Sequence, residues 1–339
     1  MTTGESPGPV LTKRPFMLPS WIGVWELALL VLVVIALIWG SVVSPFFLTA
    51  DNFAITAARS TGIGLMVLPM MWLMIAGEID LSVASIFGLT GVIFGIGIES
   101  DFRLPESFAL AMAAGGLAGL VNAFFSVVIG LPSLIVTVGT LSVYRGLAFV
   151  LLENRSMSAF PAEFTEFTQG NIAGTSIPYT FVVFLVVAAL SGLLLQRGVV
   201  GRKTYAIGSS PDVSRFSGIR VKWIKGWLLV VSGLVAALAG ILFSGYVSSA
   251  RATNGLGLEL TVIAIVLIGG ASIYGGEGKF LGVLLSLVLV TIITSVMTLQ
   301  FITTDIQNMV IGLLMAGAVV VPGIASRALD WRRSRQRLR

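Results

Sequence analysis

Few residue types in this chain are suited to catalytic or metal chemistry, because its 339 residues include neither cysteine nor histidine. A thiol nucleophile, a Ser-His-Asp or Cys-His site, a disulfide framework and a histidine-ligated metal are therefore excluded. A phosphate-binding loop is also missing, since Ile273 stands where the P-loop pattern needs glycine and Phe280 where it needs serine or threonine. The sequence predicts no catalytic residue, no metal site and no cofactor or nucleotide bound by this chain.

Ionisable residues in or beside apolar stretches are the remaining candidates, because a charge inside a membrane is costly and usually functional. Glu78 and Asp80 lie between two such stretches, whereas Arg145 and Glu259 each lie within one. A structural role suits each of the four equally well, and Arg145 could reach the membrane surface or pair with an acid. Nearly all acids lie at the ends of apolar stretches, which disfavours a proton- or sodium-coupled carrier. That mechanism stays open, since Na⁺ can also bind backbone carbonyls.

The elements that position these residues are apolar helices. The chain is 56% apolar and 11% charged, with a mean hydropathy of +0.99, whereas soluble domains are about 25% charged. A helix of about 20 apolar residues crosses the bilayer core. Ten stretches qualify: 27–43, 60–76, 81–98, 107–131, 132–152, 177–196, 226–247, 256–276, 280–302 and 306–326. The predicted fold class is an all-α membrane protein with about ten transmembrane helices.

The positions of lysine and arginine predict the orientation of these helices. With both termini in the cytoplasm, 16 of the 21 basic residues fall in cytoplasmic segments. The chain then divides into a cytoplasmic segment 1–26, a polytopic domain 27–326 and a basic cytoplasmic tail 327–339. We interpret the first apolar stretch as a retained helix, not a cleaved signal peptide. The tail is expected to contact anionic membrane lipid, not nucleic acid.

The predicted cytoplasmic connection 197–225 contains the signals of a short capped helix. Four residues mark its ends: Ser210 at the N-cap, Pro211 and Asp212 in the first turn, and Gly218 after the last turn. These signals predict a two-turn helix from 211 to 217 that carries Arg215 and the exposed aromatic Phe216. Because a plain connector needs no such helix, we interpret it as a docking element for a partner.

The external connection 153–176 predicts a second short helix. Phe160, Phe164 and Phe167 recur at helical spacing, and Pro161 lies near the expected helix start. An amphipathic helix of this kind lies at the membrane interface. A simple anchor and a docking surface are both compatible with it.

Several blocks of the sequence resemble the permease subunits of bacterial ABC sugar importers of the ribose type. They are residues 77–83, 139–147 and 263–278, with a weaker fourth block at 201–219. The resemblance covers about residues 25–326. Glu78, Ala84 and Glu277 depart from the family pattern. The overall pattern is nearer to the branches that handle rhamnose or autoinducer 2 than to ribose permeases.

The resemblance implies the partners and the location of the protein. In such a permease, the helix 211–217 is the contact with a separate ABC ATPase subunit, which hydrolyses the ATP. A periplasmic sugar-binding protein docks on the external loops. A second permease chain, identical or homologous, completes the pathway in the bacterial inner membrane. A transport subunit of this kind is not itself an enzyme.

Two sets of site residues follow from the resemblance and from the patterns above. The residues expected to couple to the ATPase are Pro211, Asp212, Arg215, Phe216, Ser217 and Gly218. The residues expected to line the translocation pathway or its gate are Glu78, Asp80, Ser82, Asn122 and Arg145.

Three other functions compete with an ATP-driven sugar importer. A secondary carrier or channel works without an ATPase, and the capped cytoplasmic helix argues against it. A branched-chain amino-acid ABC permease of similar architecture needs polar groups suited to a zwitterion, which the apolar stretches barely offer. An integral membrane enzyme is disfavoured by the missing cysteine and histidine.

Overall fold

A computed structural model describes residues 23–153, 155–318 and 320, and over these residues the protein is built from helices. The helices are α1 (Val24–Val43), α2 (Ala50–Ile75), α3 (Val83–Glu99), α4 (Leu104–Ala123), α5 (Ser133–Leu152), α6 (Ala162–Gln169), α7 (Tyr179–Arg197), α8 (Val199–Ser209), α9 (Pro211–Phe216), α10 (Val221–Tyr246), α11 (Leu258–Ile268) and α12 (Phe280–Leu299). A π-helix, Phe124–Ile129, continues α4, and residues 304–318 are also helical. The tail 327–339 and most of the segment 1–26 lie outside the described residues.

Seven helices in this part of the chain are long and apolar enough to cross a membrane: α1, α2, α4 with its π-helix, α5, α7, α10 and α12. They confirm the predicted class, a multi-pass all-α membrane protein. Two further apolar helices are shorter, since α3 has 17 residues and α11 has 11.

The prediction of one helix over 256–276 is wrong beyond Ile268. α11 ends there after about 16 Å at 1.5 Å per residue, which is too short to cross a bilayer alone. The glycines that follow explain the break, because Gly270, Gly275 and Gly276 have φ between +78° and +88°. This left-handed region is open to glycine and strained for most other residues.

The centre of the bundle is formed by α2 and α10. α2 packs against α7 and α11, and α10 packs against α2, α3 and α4. α4 and α10 approach closely, since a Cβ on Gly115 would lie 2.6 Å from the carbonyl oxygen of Gly233. Small residues permit such contact between membrane helices. α1, α5 and α7 expose leucine, isoleucine and valine on their outer faces, as expected of lipid-facing helices.

The short helix predicted in 153–176 is present as α6, and Pro161 is its N-cap residue. Its apolar face is partly covered by protein, since Phe164 is buried whereas Phe167 remains 41% exposed. Phe164 lies 4.8 Å from Phe94 of α3, measured between ring centroids, and Phe167 stacks on Tyr179 at 5.8 Å. α6 therefore closes one end of the bundle over α3 and α10.

The segment between α7 and α10 contains two helices, of which the sequence predicted one. α9 ends at Phe216, one residue earlier than predicted, and Ser217 is its C-cap. The Ser210 hydroxyl accepts a hydrogen bond from the Val213 N–H at 3.4 Å, so the predicted N-cap is correct. Gly218 follows with φ +78°. α8 precedes α9 and was not predicted.

Candidate functional site

A buried carboxylate lies where the chain passes from α2 to α3. Asp80 is fully buried, and its Oδ1 accepts hydrogen bonds from the N–H of Ser82 at 3.0 Å and from the Ser82 hydroxyl at 2.6 Å. Its Oδ2 accepts a third bond from the hydroxyl of Ser232 on α10 at 2.7 Å. A carboxylate at the start of α3 also faces the positive end of that helix. Asp80 therefore joins the α2–α3 turn to α10.

The hydrogen bonds continue from Ser82 into α4 and α5. The Asn122 side-chain amide donates to the Ser82 hydroxyl at 2.8 Å, and Asn122 is fully buried. The Tyr144 hydroxyl lies 3.3 Å from Asn122 Oδ1 and 2.9 Å from the Ala118 carbonyl. We call Asp80, Ser82, Asn122, Tyr144 and Ser232 the Asp80 network. It ties four helices together at one depth in the bundle.

Glu78 lies beside this network in a separate ion pair. Its carboxylate lies 2.5 Å from the ammonium of Lys225 near the start of α10, and both side chains are less than one-fifth exposed. The same turn is held on its other side by α5, where the Ser133 hydroxyl accepts from the Ile79 N–H at 3.3 Å. The α2–α3 turn is therefore fixed to both α5 and α10.

Arg145 lies apart from the other candidate pathway residues. Its guanidinium donates to the carbonyls of Ala252 at 2.6 Å and Asn254 at 2.7 Å, and to the carbonyl of Ala84 on α3 at 3.2 Å. Gly88 makes room for it, because a Cβ there would lie 2.8 Å from the guanidinium. Within the described residues Arg145 forms no ion pair, and its side chain is buried. It holds the α10–α11 loop against α3 and α5.

The structure thus brings Asp80, Ser82 and Asn122 together, places Glu78 next to them and separates Arg145. Asp80, Ser82 and Asn122 have no exposed surface, so they do not line an open pathway in this conformation. The sequence did not predict that Ser232 and Tyr144 belong to this site. Each is a polar residue within an apolar helix, and that was the only indication of a role.

The predicted docking helix α9 presents its side chains outward. Phe216 is 91% exposed, and Val213 is 63% exposed. Arg215 and Asp212 form an exposed ion pair at 3.7 Å. The Phe216 ring is left in the solvent, so it adds no buried apolar surface to the fold of its own chain. Such a helix is typical of a contact with another protein.

α9 is connected to the α2–α3 turn through a contact between backbones. The Gly276 N–H donates to the Ile75 carbonyl at the end of α2 at 2.9 Å. A Cβ on Gly275 would lie 3.0 Å from both the Gly208 carbonyl oxygen and the Gly77 Cα. We call Gly77, Gly208, Gly275 and Gly276 the glycine junction. Gly208 lies three residues before the start of α9 and Gly77 lies three residues before Asp80, so α9 and the Asp80 network are parts of one packed unit.

A tyrosine adds a side-chain bond to this junction. The hydroxyl of Tyr205 on α8 donates to the Gly278 carbonyl at 2.6 Å. Burial raises the pKa of the Tyr205 phenol above its usual range, which favours the protonated hydroxyl that donates this bond.

The glycine junction predicts a specific effect of adding one methyl group. In Gly208→Ala the new Cβ would overlap the backbones of Ile75 and Gly276. We expect a loss of about 1–3 kcal/mol of stability, as for an overpacked core, measured as a lower midpoint of thermal unfolding in detergent. The matched control is Gly139→Ala in α5, where nothing lies within 4 Å of the added atom. Equal midpoints for the two variants would contradict the junction.

A cavity of about 360 Å³ lies between α2, α11, α12 and the helical residues 304–311. It is lined by the first half of α2 and the second half of α12, whereas the glycine junction lies at the end of α2 and just before α12. The cavity therefore lies at the end of the bundle opposite to α9. No sequence pattern predicted it.

Comparison with known proteins adds a family and a set of relatives. The model of the family described as branched-chain amino acid transport system / permease component matches residues 52–319. The autoinducer 2 import system permease protein LsrD of Escherichia coli (strain K12) is 29% identical over 302 residues, which cover 87% of this chain and 91% of the relative. The protein of the same name from Shigella flexneri has the same identity and coverage. No solved structure matches the chain.

Proposed function

The chain belongs to the family of branched-chain amino acid transport system permease components, and from this membership we propose that it is the membrane permease subunit of a bacterial ATP-driven importer of a sugar such as autoinducer 2, rhamnose or a pentose. The observation that carries the proposal is α9, an exposed capped helix locked to the membrane core. The likeness to the autoinducer 2 import permeases confirms the resemblance drawn from the sequence blocks.

In this proposal a separate ATPase subunit binds α9 and hydrolyses ATP, and the permease itself is not an enzyme and binds no cofactor. Phe216 and Arg215 form the contact, with Pro211, Asp212, Ser217 and Gly218 shaping the helix. The glycine junction supports this arrangement, because it packs the end of α8, directly before α9, against the end of α2. ATP binding and hydrolysis then bias the inward- and outward-facing states of the bundle.

The proposed topology has ten crossings in the inner membrane and cytoplasmic termini. It counts α3, α11 together with the glycine-rich loop that follows it, and the helical residues 304–318 in addition to the seven long helices. The basic residues support it, since Lys225 and Lys279 lie at the same end of the bundle as α9. A periplasmic sugar-binding protein docks at the opposite end, and a second permease chain, identical or homologous, lies alongside.

The experiment for the proposal is purification of the tagged chain in mild detergent from its native membrane, followed by mass spectrometry and reconstitution. We expect a P-loop ATPase to co-purify, with or without a second permease, and ATP to be required for uptake of the sugar. A chain that purifies alone and moves a solute without ATP would overturn the proposal in favour of a secondary carrier. ATP-driven uptake of leucine but not of sugars would point to an amino-acid permease.

A further inference from the structure

The cavity opposite α9 has a mostly apolar wall in which many side chains carry a polar group. Of the 19 residues that line it, 11 carry a hydroxyl or a side-chain amide. These groups come from α2, α11, α12 and the helical residues 304–308, so they face one another from several sides. Cavities of a few hundred Å³ with convergent polar groups are the usual form of a small-molecule site.

Some of these polar groups are already paired within the protein. The hydroxyls of Thr56 and Ser295 lie 3.0 Å apart, and the Asn52 amide donates to Ser295 at 3.3 Å. Thr294 and Thr298 donate to carbonyls of their own helix. These bonds hold α2 against α12 and fix the shape of the wall.

Two threonines are different, because their hydroxyls make no hydrogen bond to any described residue. Thr261 of α11 is 7% exposed and Thr291 of α12 is half-buried, and both line the cavity. Most other buried helical threonines here, such as Thr61 and Thr90, donate to their own helix. An unpaired hydroxyl in a nearly buried position loses free energy unless a bound molecule or water satisfies it. Thr261 and Thr291 are therefore free to bind a solute.

The charge of the cavity indicates which solute it suits. Its lining contains one cation, Arg59, and no carboxylate among the described residues. A zwitterionic amino acid would bring an ammonium group with no carboxylate in the wall to pair with, which is costly away from water. A polyhydroxylated molecule needs only donors and acceptors without charge, and the wall offers both.

We propose that this cavity holds the solute during translocation and that it selects an uncharged polyhydroxylated molecule of pentose size over a zwitterionic amino acid. This inference rests on the proposed function and assigns part of the selectivity to the permease itself. No aromatic ring lines the cavity, so binding depends on hydrogen bonds and stays weak. Weak binding suits a site that must release its solute.

The test uses the absence of cysteine from the chain, because one introduced thiol is then the only thiol of the permease. Thr291→Cys and Thr261→Cys are assembled in the complete importer in proteoliposomes. They are treated from outside with a membrane-impermeant methanethiosulfonate reagent. We expect both thiols to react, and we expect D-ribose, L-rhamnose or autoinducer 2 to slow the reaction at least fivefold. L-leucine should leave the rate unchanged.

The matched control is Thr90→Cys, whose fully buried position in α3 should not react. Three results would overturn the cavity site: thiols at 261 and 291 that fail to react with the reagent, a reaction that none of the three sugars slows, or a reaction that leucine slows. Sugar uptake by the wild-type importer in the same vesicles distinguishes a failure of the cavity site from a failure of the proposed function. ATP-driven sugar uptake without protection overturns only the cavity, whereas no ATP-driven uptake overturns the proposed function.

A second pair of variants tests the hydroxyls without a bulky label. Thr261→Val with Thr291→Val removes both free hydroxyls at nearly constant volume, and we expect sugar uptake to fall about tenfold. The control Thr180→Val removes a buried unpaired hydroxyl on α7 that does not line the cavity, and it should transport as the wild type does. Equal uptake by the double variant and the control would overturn the inference.

Discussion

Replacing Phe216 with alanine and Arg215 with glutamate should abolish ATP-driven uptake while the chain still folds and reaches the membrane. Phe216 is 91% exposed, so its loss leaves no cavity in the bundle. An exposed aromatic anchor in an interface contributes about 2 kcal/mol or more to association, which corresponds to about 30-fold weaker binding. The charge reversal at Arg215 adds repulsion. The measurement is uptake in vesicles together with co-purification of the ATPase.

A matched control for this prediction lies at the other end of the molecule. Phe301 is 94% exposed in the turn after α12, so Phe301→Ala removes an equally exposed ring from the surface opposite α9. We expect this variant to keep the ATPase bound. Normal ATPase binding and uptake in the double variant would show that α9 is not the coupling helix.

Replacing Asp80 with alanine should greatly reduce the amount of folded protein. The substitution removes the acceptor of three hydrogen bonds at a fully buried position. The hydroxyls of Ser82 and Ser232 and the N–H of Ser82 then lose their acceptor. Breaking a buried network of this kind costs about 3–5 kcal/mol. Since Asp80 joins the α2–α3 turn to α10, and Ser82 extends the network to α4 and α5, the loss affects the whole bundle. The measurements are the yield of monodisperse protein in detergent and its unfolding midpoint.

The control for this prediction is Asp80→Asn. The amide oxygen can accept from the Ser82 N–H and hydroxyl, while its NH₂ donates to the Ser232 hydroxyl, so the geometry is kept. We expect less than half of the stability loss seen with alanine. If asparagine is as damaging as alanine, the negative charge matters more than the hydrogen bonds. If alanine has no effect, the network does not hold the bundle.

Local features of the fold were predicted well from the sequence because their causes are local. Runs of apolar residues in a chain that is 11% charged predicted the membrane helices. The Ser210 cap and Gly218 predicted α9 to within one residue, since capping groups act on backbone atoms a few residues away. The prediction of one helix over 256–276 was wrong after Ile268, where clustered glycines end the helix. Hydropathy did not reveal this break, because it does not report backbone conformation.

The sequence by itself determined the class of protein, the positions of most helices, the capped helix α9 and the family resemblance. Each of these rests on residue types and on interactions within a few residues along the chain. Only the tertiary structure decided that Asp80 and Ser82 meet Ser232 and Asn122, which lie 40 or more residues away. It alone separated Arg145 from them, brought Gly208 against Ile75 and Gly276 and formed the cavity between α2, α11 and α12. These contacts depend on how helices pack against one another, and a single sequence does not reveal which faces come together.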